Sequence, residues 1–297
     1  MIEPVLQLGR AWRAEGGRGQ RPGVPSRASC GRSSKTKRGR PTSNDSVIRV
    51  ATYNIHAAVG ADRRRDLGRI AAVIEEIQPD VIGLQEVESR LSRGSSDQAM
   101  RLAAMLEMAC VEGPMMLEGP GWYGNAILSR LPVLSAQRWR FPYHSGEPRG
   151  AVGVVVEDPK GGRWRLINTH LDLRFRSRLR QVQSIVHLFE SDRAGPWILM
   201  GDLNEWRPWA PALAQLRRLG YVPPAPASYP SRRPLFSLDR MVLHECTLDG
   251  LLRRHVTELS RRASDHLPIV AEVGAPVLRS NAQEERAHAR AEPNRSL

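Results

Sequence analysis

The sequence predicts an α/β fold in which two β-sheets pack face to face and helices cover their outer faces. Apolar, strand-like runs alternate with segments of helical periodicity, yet some of these runs follow one another with only a turn between them. That pattern favours two packed sheets over a single doubly wound one. A second observation concerns how the runs end. Tyr53-Asn54-Ile55-His56, Leu84-Gln85-Glu86, Asn168-Thr169-His170, Gly201-Asp202-Leu203-Asn204 and Ser264-Asp265-His266 each turn polar where an apolar stretch stops. An α/β sheet places its chemistry at the carboxyl edge of its strands, and this is how such an edge reads in sequence.

The elements follow in order. Residues 1–44 are rich in Gly, Arg, Ser and Pro without periodicity and are expected to be disordered. Two readings of this segment stand: an arm that grasps nucleic acid, or the product of an upstream start codon. The ordered body is expected over residues 45–273, with a second disordered tail over 274–297. Val47 to Tyr53 alternates as a strand does, and Leu67, Ile70, Ile74 and Ile77 recur at helical spacing until Pro79 stops them. Val81-Ile82-Gly83-Leu84 is a short buried strand. A helix is expected over 97–110, capped by Ser96, with Ala99, Leu102, Ala103 and Leu106 facing inward. Strands are expected at 125–129, 151–156 and 164–169, with a loop over 142–150 and a turn at Lys160-Gly161-Gly162. A long helix over 175–190 carries the stripe Leu179, Val182, Ile185 or Val186, and Phe189. A shorter helix over 210–219 ends at Gly220, and two late strands centre on Met241 and Val270.

Charge is unevenly placed. The formal net charge is +13, but residues 1–44 hold ten Lys/Arg against two acids, and the body is only about +4. The body therefore lacks the composition of a dedicated nucleic-acid binder. Cys30, Cys110 and Cys246 have no paired spacing, which points to reduced thiols and away from a zinc site or a disulfide framework. No stretch approaches 18 apolar residues and no signal-peptide core precedes the body, so a cytoplasmic protein without a transmembrane segment is expected.

The polar strand ends together offer Asn54, Glu86, His170, Asp202, Asn204, Asp239, Asp265 and His266. Singly, each is also what a capping carboxylate or a hydrogen-bonded rim histidine looks like. Five coincident strand ends are not. Glu86 with Asn54 or Asp265 suits a hard divalent cation such as Mg²⁺, which wants oxygen ligands; zinc would want more imidazole or thiolate. Phosphoryl chemistry needs positive charge against the developing negative charge, a base for water, and relief of the leaving oxygen. Two histidines and three further carboxylates can supply these. Asp239 is either a salt partner of Arg240 or the carboxylate that fixes the ring of His266.

In order along the chain, the motifs already quoted, with Tyr123-Gly124-Asn125-Ala126-Ile127-Leu128-Ser129-Arg130, Leu238-Asp239-Arg240 and Ser264-Asp265-His266-Leu267-Pro268, resemble those of the endonuclease/exonuclease/phosphatase superfamily. Any one motif is weak, whereas the ordered set over 47–273 is strong. The resemblance implies a four-layer α/β sandwich and a Mg²⁺-dependent phosphoesterase, with Mn²⁺ as a substitute. It makes Glu86 the principal metal ligand, with Asn54 and Asp265 in the metal region. His170 becomes a donor to the scissile phosphate, Asp202 and Asn204 lie against the phosphate and the attacking or leaving oxygen, and Asp239 backs His266. Asn125, Arg149, Arg174 and Arg232 are the expected substrate contacts. Either Asp202 or His266 can take the proton from water; the preferred reading has His266 as base or phosphate donor and Asp202 as orienter of water.

The substrate is less legible. The implied activity is that of a phosphodiesterase, with DNA endonuclease or exonuclease action, phospholipid or inositol-phosphate hydrolysis, and an inactive binding module as alternatives. Tyr53-Asn54 stands where abasic-site enzymes carry Trp-Asn, which weakens the DNA-repair reading, and the lysine-bearing segments of inositol phosphatases have no counterpart. Arg174, Arg176, Arg178 and Arg180, with the segment Tyr229 to Pro234, would make a flanking cleft electropositive and steer phosphate toward the metal. No protein partner is implied.

Overall fold

The computed structural model describes residues 47–90, 97–142, 146–191 and 195–274. Residues 1–44 and 275–297 of the segments for which disorder is expected, and Ser96, lie outside the described residues, whereas Gly274 ends the last strand. In chain order the strands are β1 (Val47–Asn54), β2 (Val81–Glu88), β3 (Ala109–Glu118), β4 (Gly121–Ser129), β5 (Val133–Arg140) and β6 (Gly150–Glu157). They continue as β7 (Arg163–His170), β8 (Trp197–Asp202), β9 (Asp239–His244), β10 (Thr247–Arg254) and β11 (Ile269–Gly274). The helices are α1 (Leu67–Ile77), α2 (Gln98–Leu106), α3 (Phe175–Ser191), α4 (Pro211–Leu216) and α5 (Glu258–Ala263).

One sheet runs β10-β11-β1-β2-β4-β3 and the other β5-β6-β7-β8-β9. Side chains two apart on a strand share a face, and this periodicity sorts the apolar residues into three cores. Val50, Val81, Ile127, Val154, Leu166, Ile198, Met200 and Met241 pack between the sheets. Ala51, Tyr53, Ile82 and Leu84 face the other way, against Ile70, Val73 and Ile74 of α1 and Leu102 of α2. Ile167, Trp197 and Leu199 likewise meet Val182, Ile185 and Phe189 of α3. Helix, sheet, sheet and helix therefore form the four layers expected, and no helix among the described residues is long and apolar enough to cross a membrane.

Each sheet contains one parallel pair among the described strands, β1 with β2 and β7 with β8. Both pairs are joined by a crossover helix, α1 or α3, so the chain leaves the carboxyl edge of each strand by a loop. These two carboxyl edges carry the polar strand ends.

Several boundaries differ from expectation. The helix placed over 97–110 ends at Leu106, with Glu107 left-handed after it, and residues 109–118 are β3. Its cap is Asp97, whose side chain accepts from the Met100 amide. The unanticipated strands β3, β5 and β10 are all edge strands. An edge strand buries little and tolerates breakers, so Gly113 and Pro114 in β3, the exposed face of β5 and Gly250 in β10 hide the apolar alternation that reveals a central strand. Helix α5, closed by a capping box between Thr257 and Ser260, is too short to show periodicity.

Candidate active site

Strand periodicity alone brings most of the centre together. On β1 the inward positions run Ile48, Val50, Thr52, Asn54; on β7 they run Trp164, Leu166, Asn168, His170; on β8, Ile198, Met200, Asp202. Each inward row is apolar until its last members, so Asn54, His170 and Asp202 lie over the inter-sheet core at its open end. Asp239, the first residue of β9, joins them because it pairs in register with Asp202. Gly201 permits the close packing beneath them: its φ is 146°, and a Cβ there would collide with the Thr169 carbonyl oxygen.

Glu86 is out of step with this periodicity. Val87 belongs to the helix-side core, and Glu86 is turned by an irregularity in the β2–β4 ladder between Leu84 and Val87, with φ 56° at Glu86 itself. A left-handed non-glycine residue costs about 1–2 kcal/mol, which marks the turn as one the surroundings impose. Asn168 secures it from the opposite sheet. Its amide donates to the Leu84 and Ala126 carbonyls at 2.8 and 2.9 Å, and its Oδ1 accepts from Gln85 Nε2 at 2.6 Å. The side chain satisfies carbonyls that the broken ladder leaves open.

Asp202 stands at the middle of the resulting cluster. Its Oδ1 accepts from the Asn204 amide at 2.9 Å, and its Oδ2 accepts from Asn54 Nδ2 at 3.1 Å. The same Oδ2 lies 3.6 Å from His170 Nε2 and 3.7 Å from His266 Nε2. Asn54 Nδ2 also donates to Glu86 Oε1 at 2.9 Å. His266 is held from behind: its Nδ1 is 2.8 Å from Asp239 Oδ2, which also accepts from Ser228 Oγ at 2.6 Å. Ser264 Oγ donates to the Asn54 carbonyl at 2.8 Å and so ties the His266 loop to the end of β1.

His170 is oriented differently. Arg149 Nη1 lies 3.0 Å from its Nδ1, and Asn204 Nδ2 lies 3.1 Å from its Nε2. A neutral imidazole accepts at one nitrogen only. The charge-assisted contact from the guanidinium is the stronger, and Asn204 already donates to the Leu171 carbonyl at 2.9 Å. The Nε2 nitrogen therefore carries the proton and points it at the cluster. Burial first, then the Arg149 guanidinium, holds His170 well below the ordinary histidine range, so the ring is neutral.

His266 is the reverse case. Burial opposes its charge, but Asp239, then Asp202 and Asp265, outweigh burial and push it up to about 10. Burial raises Asp202 to about 6, against the favourable charge of His266. The centre thus pairs an imidazolium with a carboxylate whose affinity for a proton lies near neutrality, the two states that acid–base work needs.

Two sets of residues compete as a metal site. Asp202, Asp239 and His266 bring ligand atoms within 4.8 Å of one another, all buried. Their geometry is that of a hydrogen-bonded relay, since His266 Nδ1 is engaged by Asp239. Glu86 and Asp265 are only partly buried, their side chains 23% and 34% exposed, and offer oxygen alone. With the Asn54 amide they fit a hard divalent cation better than a soft one. His56 Nδ1 lies 3.6 Å from Asp265 Oδ1, and the Asn54 Oδ1 accepts from the His56 amide at 3.0 Å.

The expected substrate contacts spread out. Arg149 is buried behind His170 and also bonds Glu147 at 2.8 Å. Asn125 is buried beside the Glu86 turn, with its Nδ2 3.4 Å from the Gly150 carbonyl. Arg174 is exposed on the loop after β7. Arg232 is exposed and donates to the Ala61 carbonyl at 3.0 Å. Arg178, expected on the cleft, is buried in an ion pair with Glu205 at 3.0 Å. Sequence reasoning missed Ser228, because a serine in a loop carries no periodic signal; it had Ser264 only as part of a motif and Tyr229 only as part of a flanking segment, without the Ser264 bond to Asn54 or the Tyr229 ring 4.9 Å from that of His266.

With this geometry in view, the comparisons with known proteins are specific. The Escherichia coli K12 protein YbhP is 25% identical over 244 residues, covering 76% of this chain and 96% of that protein. The crystal structure of an endonuclease/exonuclease/phosphatase from Beutenbergia cavernae superposes with a TM-score of 0.62 at 26% identity, over 77% of this chain and 72% of that one. A mannosyl-6-phosphatase from Bacteroides thetaiotaomicron, at 17% identity and a TM-score of 0.60 over 76% of this chain and 99% of its own, shares the fold. The Endonuclease/Exonuclease/phosphatase family model matches residues 51–266, from the middle of β1 to the histidine that Asp239 holds. The chain therefore belongs to that family, whose members generally hydrolyse phosphoester bonds.

Proposed function

We propose that the chain is a phosphodiesterase in which a hard divalent cation, Mg²⁺ or in its place Mn²⁺, assists attack of water on phosphorus. The observation that carries this reading is the position of Asp202 Oδ2, 3.1 Å from Asn54, 3.6 Å from His170 and 3.7 Å from His266. One carboxylate oxygen within 4 Å of two imidazole nitrogens gathers donors and a base on a single rim, over which a phosphate would meet all three. His170 donates its Nε2 proton to a phosphate oxygen, and the His266 imidazolium donates to the phosphate or the leaving oxygen. Asp202, near neutrality in proton affinity, takes the proton from water, so the charge states favour Asp202 over His266 as base. Water forms the new P–O bond, the ester P–O bond breaks, and the alcohol leaves with a proton. Glu86, Asn54 and Asp265 would hold the cation, which supplies positive charge against the charge that develops on phosphorus.

The test uses bis-p-nitrophenyl phosphate in H₂¹⁸O with Mg²⁺. The expected result is release of nitrophenol with the label in the monoester product. Label in the nitrophenol would place attack at carbon and contradict the proposal. Absence of turnover with Mg²⁺ or Mn²⁺ on every diester offered, nucleic acid and phospholipid included, would favour the binding-module reading.

A further inference from the structure

Among the described residues, every exposed tryptophan and phenylalanine lies on three segments that meet at one edge of the second sheet. Residues 171–176 leave β7, 203–210 leave β8, and 228–238 lead into β9; His170 pairs with Asp202, and Asp202 with Asp239, so these segments flank the catalytic cluster. Trp209 is 76% exposed, Leu235 72% and Leu173 63%, with Phe175 beside them. From His266 outward the rings are continuous. Tyr229 lies 4.9 Å from His266, Trp206 6.1 Å from Tyr229, and Phe236 4.5 Å from Trp206. Bare apolar side chains gathered at one edge call for a surface that covers them.

The charge on the same segments says which surface. Arg174, Arg176, Arg207, Arg232 and Arg233 are exposed there, whereas Asp172 is half-buried and Glu205 is buried against Arg178. No carboxylate on these segments is exposed. We propose that this edge docks on an anionic phospholipid bilayer, with Trp209, Leu235 and Leu173 entering the headgroup boundary and the arginines meeting lipid phosphates. Trp, Leu and Arg together are the composition of a membrane-interface surface. A nucleic acid would use the arginines and could stack on Trp209, but Leu235 and Leu173 offer a base no face, and Trp206 is already packed edge-on against Tyr229 and Phe236, so the apolar part of the edge fits lipid better. Docking in this pose turns the catalytic cluster toward the phosphate layer; that consequence rests on the hydrolysis proposed above, while the docking itself does not.

The experiment sediments the full chain with phosphatidylcholine vesicles, with vesicles containing phosphatidylglycerol, and separately measures binding to single-stranded DNA. Residues 1–44, with their ten basic side chains, are present in every protein compared, so their contribution is common to all. The full chain is expected to bind the anionic vesicles and not the zwitterionic ones. The double substitution Trp209→Ala with Leu235→Ala should weaken that binding about tenfold or more while the melting temperature and turnover of bis-p-nitrophenyl phosphate stay as in the wild type. Vesicle binding equal to wild type in this variant overturns the proposal, as does failure of the wild type to bind anionic vesicles. Loss of DNA binding in the variant, with vesicles ignored by both proteins, would assign the edge to nucleic acid instead. Docking can fail here while the soluble diester is still cleaved, so the two readings fall separately.

Discussion

Asp239 and His266, 27 residues apart in sequence, meet at 2.8 Å between Oδ2 and Nδ1 in a buried pair. Arg240, the neighbour that could have taken the carboxylate, instead reaches the Glu205 carbonyl at 3.4 Å. The pair fixes the ring so that Nε2 faces Asp202.

If the two act as one unit in catalysis, Asp239→Asn lowers kcat by about 10²-fold with little change in KM, and the double substitution with His266→Ala is barely worse than His266→Ala alone. Losses that add in full on a logarithmic scale would separate the residues.

The same pair sets a pH dependence of stability. His266 is raised from 6.5 to about 10, so its contribution is fully present below pH 6.5 and is lost as pH rises through about 10. Melting temperatures measured in chelator from pH 6.5 to 10 should therefore fall more steeply in the wild type than in Asp239→Asn. Parallel curves would mean that the carboxylate does not hold the proton.

Arg149 is expected to act through His170 as a positioning residue. Arg149→Met frees Nδ1 to carry the proton, so the ¹⁵N shifts of His170 should report a change of tautomer and kcat should fall about tenfold or more. Arg149→Lys, which restores a donor at one point, should recover part of both. An unchanged His170 spectrum in Arg149→Met would show that the tautomer is set elsewhere.

How much of this was legible beforehand depends on periodicity. Asn54, His170 and Asp202 extend period-two rows that begin apolar and turn polar only at Thr52, Asn168 and beyond, so their sequence positions already declare one face and one edge. Glu86 breaks that row: only the disrupted ladder opposite Asn125 and Ala126 turns it inward, and no pattern in Leu84-Gln85-Glu86 encodes a left-handed residue. Arg149 was legible as a cation beside a strand but not as a partner of His170, because the contact follows from the β6–β7 register, with Ala151 opposite Thr169, and no local pattern declares which strands pair. The edge strands were hidden for the reason given by their exposure. Long-range polar pairing and broken ladders leave little local signature.

Gly83 tests how the sheets are held together beneath the centre. A Cβ there would sit 2.8 Å from Asn168 Cγ and 3.0 Å from Met200 Cε, and Asn168 is fixed by bonds to Leu84, Ala126 and Gln85. Gly83→Ala should cost about 1–3 kcal/mol, read as a melting temperature lower by several degrees for a domain of this size. A wild-type melting temperature would mean that Asn168 can move without loss.

The central claim is a cation-assisted hydrolysis organised on Glu86, and its most direct measurement is the Mg²⁺ titration of diester hydrolysis by the wild type and by Glu86→Gln. The substitution keeps the side chain's size and a partner for Asn54 Nδ2, and removes the charge. The account predicts a higher Mg²⁺ concentration at half-maximal rate and a rate lower by about 10²-fold or more, with the melting temperature in chelator unchanged or raised. Hydrolysis by Glu86→Gln at the wild-type rate under limiting Mg²⁺ would contradict it.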